Sequence, residues 1–416
     1  MMDVLTGWGS GIVAVLVGWA LTVEMHRRQI ARERHLFATA LGKSGRRIAW
    51  VLGTGMLLSL VPSLTFAWTS PLSLSLLWLW AAVTLGMAWL NYTLAQPLRV
   101  LLLLYVLSLA VGALEHLPWT WSARASVWLT PFVSTPTSGW WTAAGTVLFV
   151  QGLAYVLLPS FLYSPYLTRT QRGGVESGYR LTSWLTLFAV FPTPQGWSFA
   201  PLFIPWHETY PGRLPRDVAR KKGAVYILEG SAVGGLIVMT KLFHLEAMVH
   251  RPLATCIMLV LSEVVRTIGD RLLVKSGRAF ASAKEGLTIL AVVPGTPAAR
   301  LGFLPGEIVT QVNGKKVSTI TEYYRALQES PAFTRFQGLD RAGEIVLRQG
   351  SRYEGDHHLY GLIFAPRRSE VFWPKEGNLI QSLKKQRKMP RQEHHQKHHP
   401  KDSKSETSVL SAYEEM

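Results

Sequence analysis

The chain has 416 residues, 48% of them apolar and 17% charged, with a mean hydropathy of +0.17. That is too apolar and too poor in charge for an ordinary two-domain soluble protein, and a polytopic membrane protein is the class to test first. Its 43 Lys and Arg against 26 Asp and Glu give a formal charge of +17, which in a membrane chain reflects loops held against anionic lipid rather than nucleic acid; the single cysteine, Cys256, excludes a disulfide framework and a thiolate metal cluster and reads as a small buried hydrophobe.

No basic segment precedes the first apolar stretch and no small-residue cleavage site follows it, so residues 8–23 read as a retained span rather than a signal peptide. Further runs long enough, or nearly so, to cross a hydrocarbon core of roughly 30 Å fall at 48–68, 72–91, 98–117, 140–163, 223–241 and 252–268. Leu181 to Trp206 is also apolar, but Pro192, Pro194, Pro201 and Pro205 interrupt it around Gly196. Proline removes backbone donors and kinks helices, so this piece is expected to form a re-entrant or interfacial hairpin rather than a straight span.

Charge supports that topology. "HRRQIARERHLFATALGKSGRR" carries seven Lys and Arg, "TRTQRGGVESGYR" three and "GRLPRDVARKKG" five, and Arg266, Arg271, Lys275 and Arg278 follow at the last span. With all four segments facing the cytoplasm, the positive-inside rule is obeyed with the N-terminus outside and the C-terminus inside. The segment 115–139 has one basic residue, Arg124, and several Trp, as an outer aromatic belt would. The expected fold is therefore an α-helical membrane domain of about seven spans plus the hairpin over residues 1–275, a small α/β domain over 282–366, and a disordered, basic, His-rich tail over 367–416.

The second region is rich in punctuation. A strand from Leu287 to Val293 meets the turn Pro294-Gly295, and Pro297 opens a short helix to Leu301, where Gly302 suits its end. Pro305-Gly306-Glu307 leads to a strand over Ile308 to Val312, and Asn313-Gly314 is a strong tight-turn signal. Thr319 and Glu322 form a capping box for a helix over Ile320 to Gln328. The stretch before the closing strand "LYGLIFA" is less regular and leaves the last strands open. The whole resembles a PDZ domain of the bacterial, circularly permuted kind, with Glu307 where many such domains have Asp. The resemblance implies binding of an extended peptide by strand addition. Its edge would run through Gly286, Leu287, Thr288 and Ile289, with Gly286 offering N–H groups to a terminal carboxylate and Tyr323 and Leu327 lining the pocket. The competing reading makes Leu287, Ile289, Tyr323 and Leu327 ordinary core.

Catalytic patterns fail in turn. An intramembrane metalloprotease needs His-Glu-x-x-His on one helical face, but His207-Glu208 is followed by Pro211 at the second ligand position. His244 and His250, flanking Glu246, are about 120° apart on a helix, and Asp270 lacks a second-ligand motif. Gly42-Lys43-Ser44-Gly45 sits in the most basic loop, not at membrane depth, and Phe37 replaces the first glycine of a phosphate loop. Ser231 reads as a small residue allowing close helix approach. Glu229 and Glu263 lie within the last two spans, where carboxylates mark function by default, but both lie near the ends and read as a buried pair or an interfacial anchor. His394, His395, His398 and His399 read as solvated tail. No enzyme activity, metal or cofactor is expected.

The N-terminal span followed by "RRQIARERHLFATAL", the stretch "LLPSFLYSPYLTRTQRGG", the Pro-rich "FPTPQGWSFAPLFIPW" and a PDZ module closed by "LYGLIF" together resemble the MinJ family, polytopic membrane proteins of Gram-positive rods with a cytoplasmic C-terminal PDZ domain. The resemblance implies an adaptor in division-site selection at septa and poles, recruiting a MinD-like ATPase to a DivIVA-like scaffold so that MinC blocks FtsZ assembly. The alternative is a membrane protein linked to proteolysis or secretion whose PDZ domain reads substrate termini; a transporter is a third.

Overall fold

The structure, a computed structural model, describes residues 2–37, 39, 41–69, 72–115, 135–169, 175–193, 196–243, 252–273, 280, 285–330, 332–353, 356, 360–365 and 380. The expected tail, apart from Ile380, lies outside these residues, as do Arg124, Pro194, His244, Glu246 and His250.

Each expected apolar run falls on helix: α1 (Met2–Phe37), α2 (Ser44–Leu58) with α3 (Leu60–Trp68), α4 (Leu74–Leu90), α5 (Pro97–Glu115), α6 (Thr137–Leu157), α7 (Pro215–Leu242) and α8 (Pro252–Leu273). Among the described residues five stretches are long and apolar enough to cross a membrane, namely Gly9–Phe37, Ser44–Trp68, Thr137–Leu157, Pro215–Thr240 and Pro252–Leu272; Leu74–Leu90 and Pro97–Ala113 are shorter. The break between α2 and α3, at Ser59, comes three residues before Pro62, which has no N–H to give the turn before it, the usual cause of a kink. The first basic stretch is not the loop expected of it. It continues α1 to Phe37, and Glu33 and Arg47 form a fully buried ion pair that also engages Ser164.

Leu181 to Trp206 is a hairpin, as expected, but one of β-strands. β1 (Ser164–Arg169), β2 (Val175–Thr193) and β3 (Gly196–Pro211) form an antiparallel sheet in the order β1-β2-β3. At about 3.3 Å per residue, the 19 residues of β2 span about 60 Å, more than the hydrocarbon core of roughly 30 Å. Pro201 and Pro205 fall on β3, an outer strand of the sheet, where a missing N–H breaks no ladder on the free side.

An open strand edge among apolar helices needs partners for its polar backbone. β1 covers β2 only as far as Arg180, and helix side chains serve the rest. Ser59 and Ser63 accept hydrogen bonds from the N–H groups of Phe188 and Val190, each at 3.0 Å, while donating to carbonyls of their own helix. Thr22 of α1 donates to the Trp184 carbonyl at 2.9 Å, and His26 meets Ser183 at 3.2 Å. The prolines excluded a straight helix; only the neighbouring hydroxyls show how a strand survives there.

Helices α6 and α7 cross through glycine. A Cβ on Gly152 would stand 2.6 Å from the Ile227 nitrogen and 2.8 Å from the Gly223 carbonyl; one on Gly230 would stand 2.5 Å from the Phe149 nitrogen. Gly230, not the exposed Ser231, permits the close approach. The soluble module follows as β4 (Leu287–Val292), α9 (Pro297–Arg300), β5 (Ile308–Val312), β6 (Lys315–Lys316), α10 (Ile320–Gln328), β7 (Phe333–Leu339), β8 (Ile345–Ser351) and β9 (Leu362–Phe364). Every local signal read from its sequence is in place. Pro297 stands at the start of α9, Asn313 (φ 52°) and Gly314 (φ 80°) make the tight turn, and the capping box of α10 has both hydrogen bonds. The irregular stretch before the closing strand is the β7–β8 hairpin.

Candidate peptide-binding site

The module's sheet runs β8-β7-β5-β4-β9, with β6 paired to β5. This order moves the expected site. β4 is interior, with Leu287 and Thr288 paired to β5 and Ile289, Ala291 and Val292 paired to β9. The Thr288 carbonyl accepts from Ala365 at 2.8 Å; the Ile289 N–H donates to the Glu307 carbonyl at 2.8 Å, and the Ile289 carbonyl accepts from Gly306 at 2.7 Å. No incoming strand can add there. Gly286 has φ 93°, and a Cβ would lie 2.7 Å from the Val309 carbonyl, so its glycine serves the approach of β4 to β5, not a carboxylate. Tyr323 and Leu327 are 0% and 3% exposed and belong to the core, as do Leu287 and Ile289. Sequence could not settle this, because edge or interior depends on which distant strands arrive as neighbours.

Among the described residues the sheet ends instead at β9. Its start is the pair Tyr360 (φ 59°) and Gly361 (φ 81°), where a side chain on Gly361 would collide with Thr296. Leu362 and Phe364 face the module core, and the Tyr323 ring packs edge-on against Phe364 at 4.8 Å. Helix α10 thus lies beside the terminal strand, and its partly exposed Ile320 and Tyr324 flank the buried Tyr323. A strand-adding peptide would find its backbone partners on β9. The signal in the sequence was "LYGLIF" itself: a glycine opening a short apolar strand.

Polar groups of the module are held firmly. The Glu322 carboxylate accepts from the Ser318 N–H at 2.7 Å, the Ser318 hydroxyl at 3.0 Å and the Thr319 N–H at 3.2 Å, and these bonds, the Ser318 backbone first, hold it below the ordinary carboxylate range. Glu307, at the position where Asp is common, is buried. It takes a two-pronged contact from Arg348, whose guanidinium lies 4.5 Å from the Phe303 ring centre, and accepts the Leu304 N–H at 3.1 Å.

The module is fastened to the helical domain. The β4–β9 register shifts between Ile289 and Ala291, and the freed Leu290 carbonyl accepts the Tyr179 hydroxyl at 2.6 Å. The Leu290 and Ala365 side chains join the large helical core, while Leu41 packs with Ala291, Val293 and Ile363. So β9 turns alternate residues to the module core and to the helical domain. Of the Gly42-Lys43-Ser44-Gly45 stretch, Gly42 and Lys43 lie in this α1–α2 connection and Ser44 and Gly45 open α2.

Of the carboxylates considered for chemistry in the helical domain, Glu208, Asp270 and Glu263 are held in ion pairs. Glu208 is bound by Lys222, Tyr155 and Tyr210 (2.6 Å to the last), and Lys222 also meets Asp270 at 3.0 Å. His207 stacks on Tyr92 and lies 3.0 Å from the Arg180 guanidinium. Glu263 is paired with Arg99 and Arg266, each at 2.5 Å, the structural reading preferred for it; Glu229 keeps one buried oxygen without a partner. Among the described residues no group of three or more His, Cys, Asp or Glu could hold a metal.

Comparison with known proteins agrees with the module's geometry. A family model described as a PDZ domain matches residues 288–335. The chain is 31% identical over 217 residues to the cell division topological determinant MinJ of Bacillus subtilis (strain 168), a match covering 50% of this chain and 49% of that protein. It is 34% identical over 84 residues to the "Probable cell division topological determinant MinJ" of Lacticaseibacillus paracasei, covering 20% and 23% of the two chains. The match thus spans about half the length of the Bacillus relative. The chain thus carries a PDZ domain beside a bundle of apolar helices and, over about half its length, is similar to the cell division topological determinant MinJ.

Proposed function

We propose that this protein is a non-catalytic adaptor of bacterial cell division, a multi-pass membrane platform that presents a peptide-binding edge at the cytoplasmic face. The observation that carries this reading is the terminal strand β9 beside α10, on a module fastened to the helices by Tyr179 and Leu41. Main-chain pairing with β9 gives affinity, and side-chain contacts along α10 give selectivity. Tethering holds the edge near membrane-bound partners and raises its effective concentration without new contacts.

The basic segments support the orientation. Arg46 lies over the Phe161 ring, Arg47 reaches Ser164, Lys222 holds Glu208 and Arg180 meets His207, which gathers these segments at the end where Tyr179 touches the soluble module. That end faces the cytoplasm and its anionic lipid. The partners fitting a MinJ relative are a DivIVA-like scaffold and a MinD-like ATPase, bridged at septum and poles; nucleic acid is not among them.

The test is localisation in a dividing rod-shaped cell, with a fluorescent label after Met416, together with capture of the two partners. Septal and polar signal, and capture lost when residues 285–365 are removed, are the expected results. A uniform membrane signal through septation, or capture indifferent to the deletion, refutes the proposal.

A further inference from the structure

Strand β8 is the other end of the module's sheet, and it carries Ile345 and Leu347 at 69% and 76% exposure. Edge strands in soluble proteins are usually protected by charge, proline or a covering element. Here the outward row of β8 is Ile345, Leu347, Gln349 and Ser351, and its one charged residue, Arg348, turns inward to Glu307. Two large aliphatic side chains on an uncharged edge need a neighbour.

The strand register shows where that neighbour lies. Thr288 pairs with Ile308, Ile308 with Leu339 and Leu339 with Ile345, so these four residues share one face in a row across β4, β5, β7 and β8. Leu347 stands on the same face, opposite Gln337. This is the face that begins, at Leu290 two residues after Thr288, against the helical domain. The row therefore continues an established interface outward from the helices, from Thr288 at 3% exposure to Ile345 at 69%. Arg341, in the turn joining β7 and β8, donates through Nε to the Pro305 carbonyl at 2.9 Å. The outward residues also include Arg335, exposed and stacked toward Phe333.

We propose that the β7–β8 hairpin is a membrane-contact face, with Ile345 and Leu347 buried in the boundary between headgroups and acyl chains and Arg335 and Arg341 paired with anionic headgroups. The inference rests on the helical domain being embedded in a bilayer. The turn between the strands also carries Glu344 and Asp340, the latter's carboxylate engaged by the Ala342 and Glu344 N–H groups; the aliphatic pair with Arg335 and Arg341 has the composition of an interfacial contact, seated roughly 5–10 Å into the boundary. Such a contact holds the module at a second point besides Tyr179 and Leu41, and so fixes the direction in which the β9 edge opens over the membrane.

The experiment uses the full chain with Cys256→Ala, reconstituted in phosphatidylglycerol-containing vesicles with brominated acyl chains near the headgroups. A single cysteine is introduced as Leu347→Cys, as Lys315→Cys on the exposed β6 turn, or as Leu236→Cys on the outer surface of α7, and labelled with an environment-sensitive fluorophore. The expected result is strong bromine quenching and a blue-shifted emission at 347, none at 315, and a quenching at 347 that falls when uncharged lipid replaces phosphatidylglycerol or when Arg335 and Arg341 are both changed to Gln. Emission at 347 equal to that at 315, with 236 in an apolar environment, overturns the proposal while leaving the membrane domain intact. Disulfide cross-linking of 347 between copies, without quenching, overturns it in favour of a protein partner on the edge. A water-exposed label at 236 removes the membrane reading and this contact with it.

Discussion

The α6–α7 crossing allows a graded prediction. Van der Waals contact for a Cβ ordinarily begins near 3.4 Å, so Gly152→Ala, with 2.6 Å available to the Ile227 nitrogen, is short by about 0.8 Å against backbone that cannot turn aside. The helices must separate by most of that distance, along a seam where Lys222 of α7 holds Glu208 of the hairpin. Overpacking of this kind costs about 1–3 kcal/mol. Gly145→Ala is crowded by the Val233 side chain, at 3.2 Å, with the Gly230 carbonyl and Gly234 nitrogen at ordinary contact of 3.4 and 3.5 Å, and should cost far less; Gly235→Ala meets nothing within 4 Å and should be neutral or stabilising by up to about 1 kcal/mol from helix propensity. The assay is thermal denaturation of the three full-length variants in one detergent, read as the fraction remaining monodisperse. Equal midpoints for Gly152→Ala and Gly235→Ala would refute the close-packed seam.

Four further outcomes are expected. Thr319→Ala should destabilise α10 by about 1 kcal/mol, seen as faster amide exchange over Ile320–Gln328. Because the Glu322 carboxyl is held below its ordinary value near 4.5, its contribution is fully present above that pH and is lost as pH falls through the depressed value; exchange of α10 should accelerate there, and Glu322→Gln should flatten the dependence. Arg348→Met strands the buried Glu307 and should cost about 3–5 kcal/mol, much of it regained with Glu307→Leu, as thermal scans of the module's near-ultraviolet signal would report. Tyr179→Phe deletes one interdomain hydrogen bond, worth about 1 kcal/mol, and should speed exchange around Leu290 while leaving β7 and β8 unchanged.

What the sequence determined by itself was whatever short-range chemistry controls. Hydropathy over twenty residues located all seven apolar helical runs, and turn glycines, Pro297, Asn313-Gly314 and the Thr319–Glu322 box located the module, because each of these acts through bonds within a few residues. Prolines 192, 201 and 205 also correctly excluded a straight helix. Their strand conformation was decided elsewhere: Ser59, Ser63 and Thr22 on other helices supply the hydrogen bonds that make an open strand edge tolerable among apolar neighbours. Which strand is left open was likewise a tertiary decision. Gly286 to Ile289 has the composition of an edge, but β5 and β9 arrive on its two sides, and the vacancy passes to β9. The seating of the module depends on one bulge, at Leu290, whose freed carbonyl finds Tyr179 more than a hundred residues away. Pairing of that kind leaves no periodic trace in the chain, since its energy exists only once both surfaces have formed.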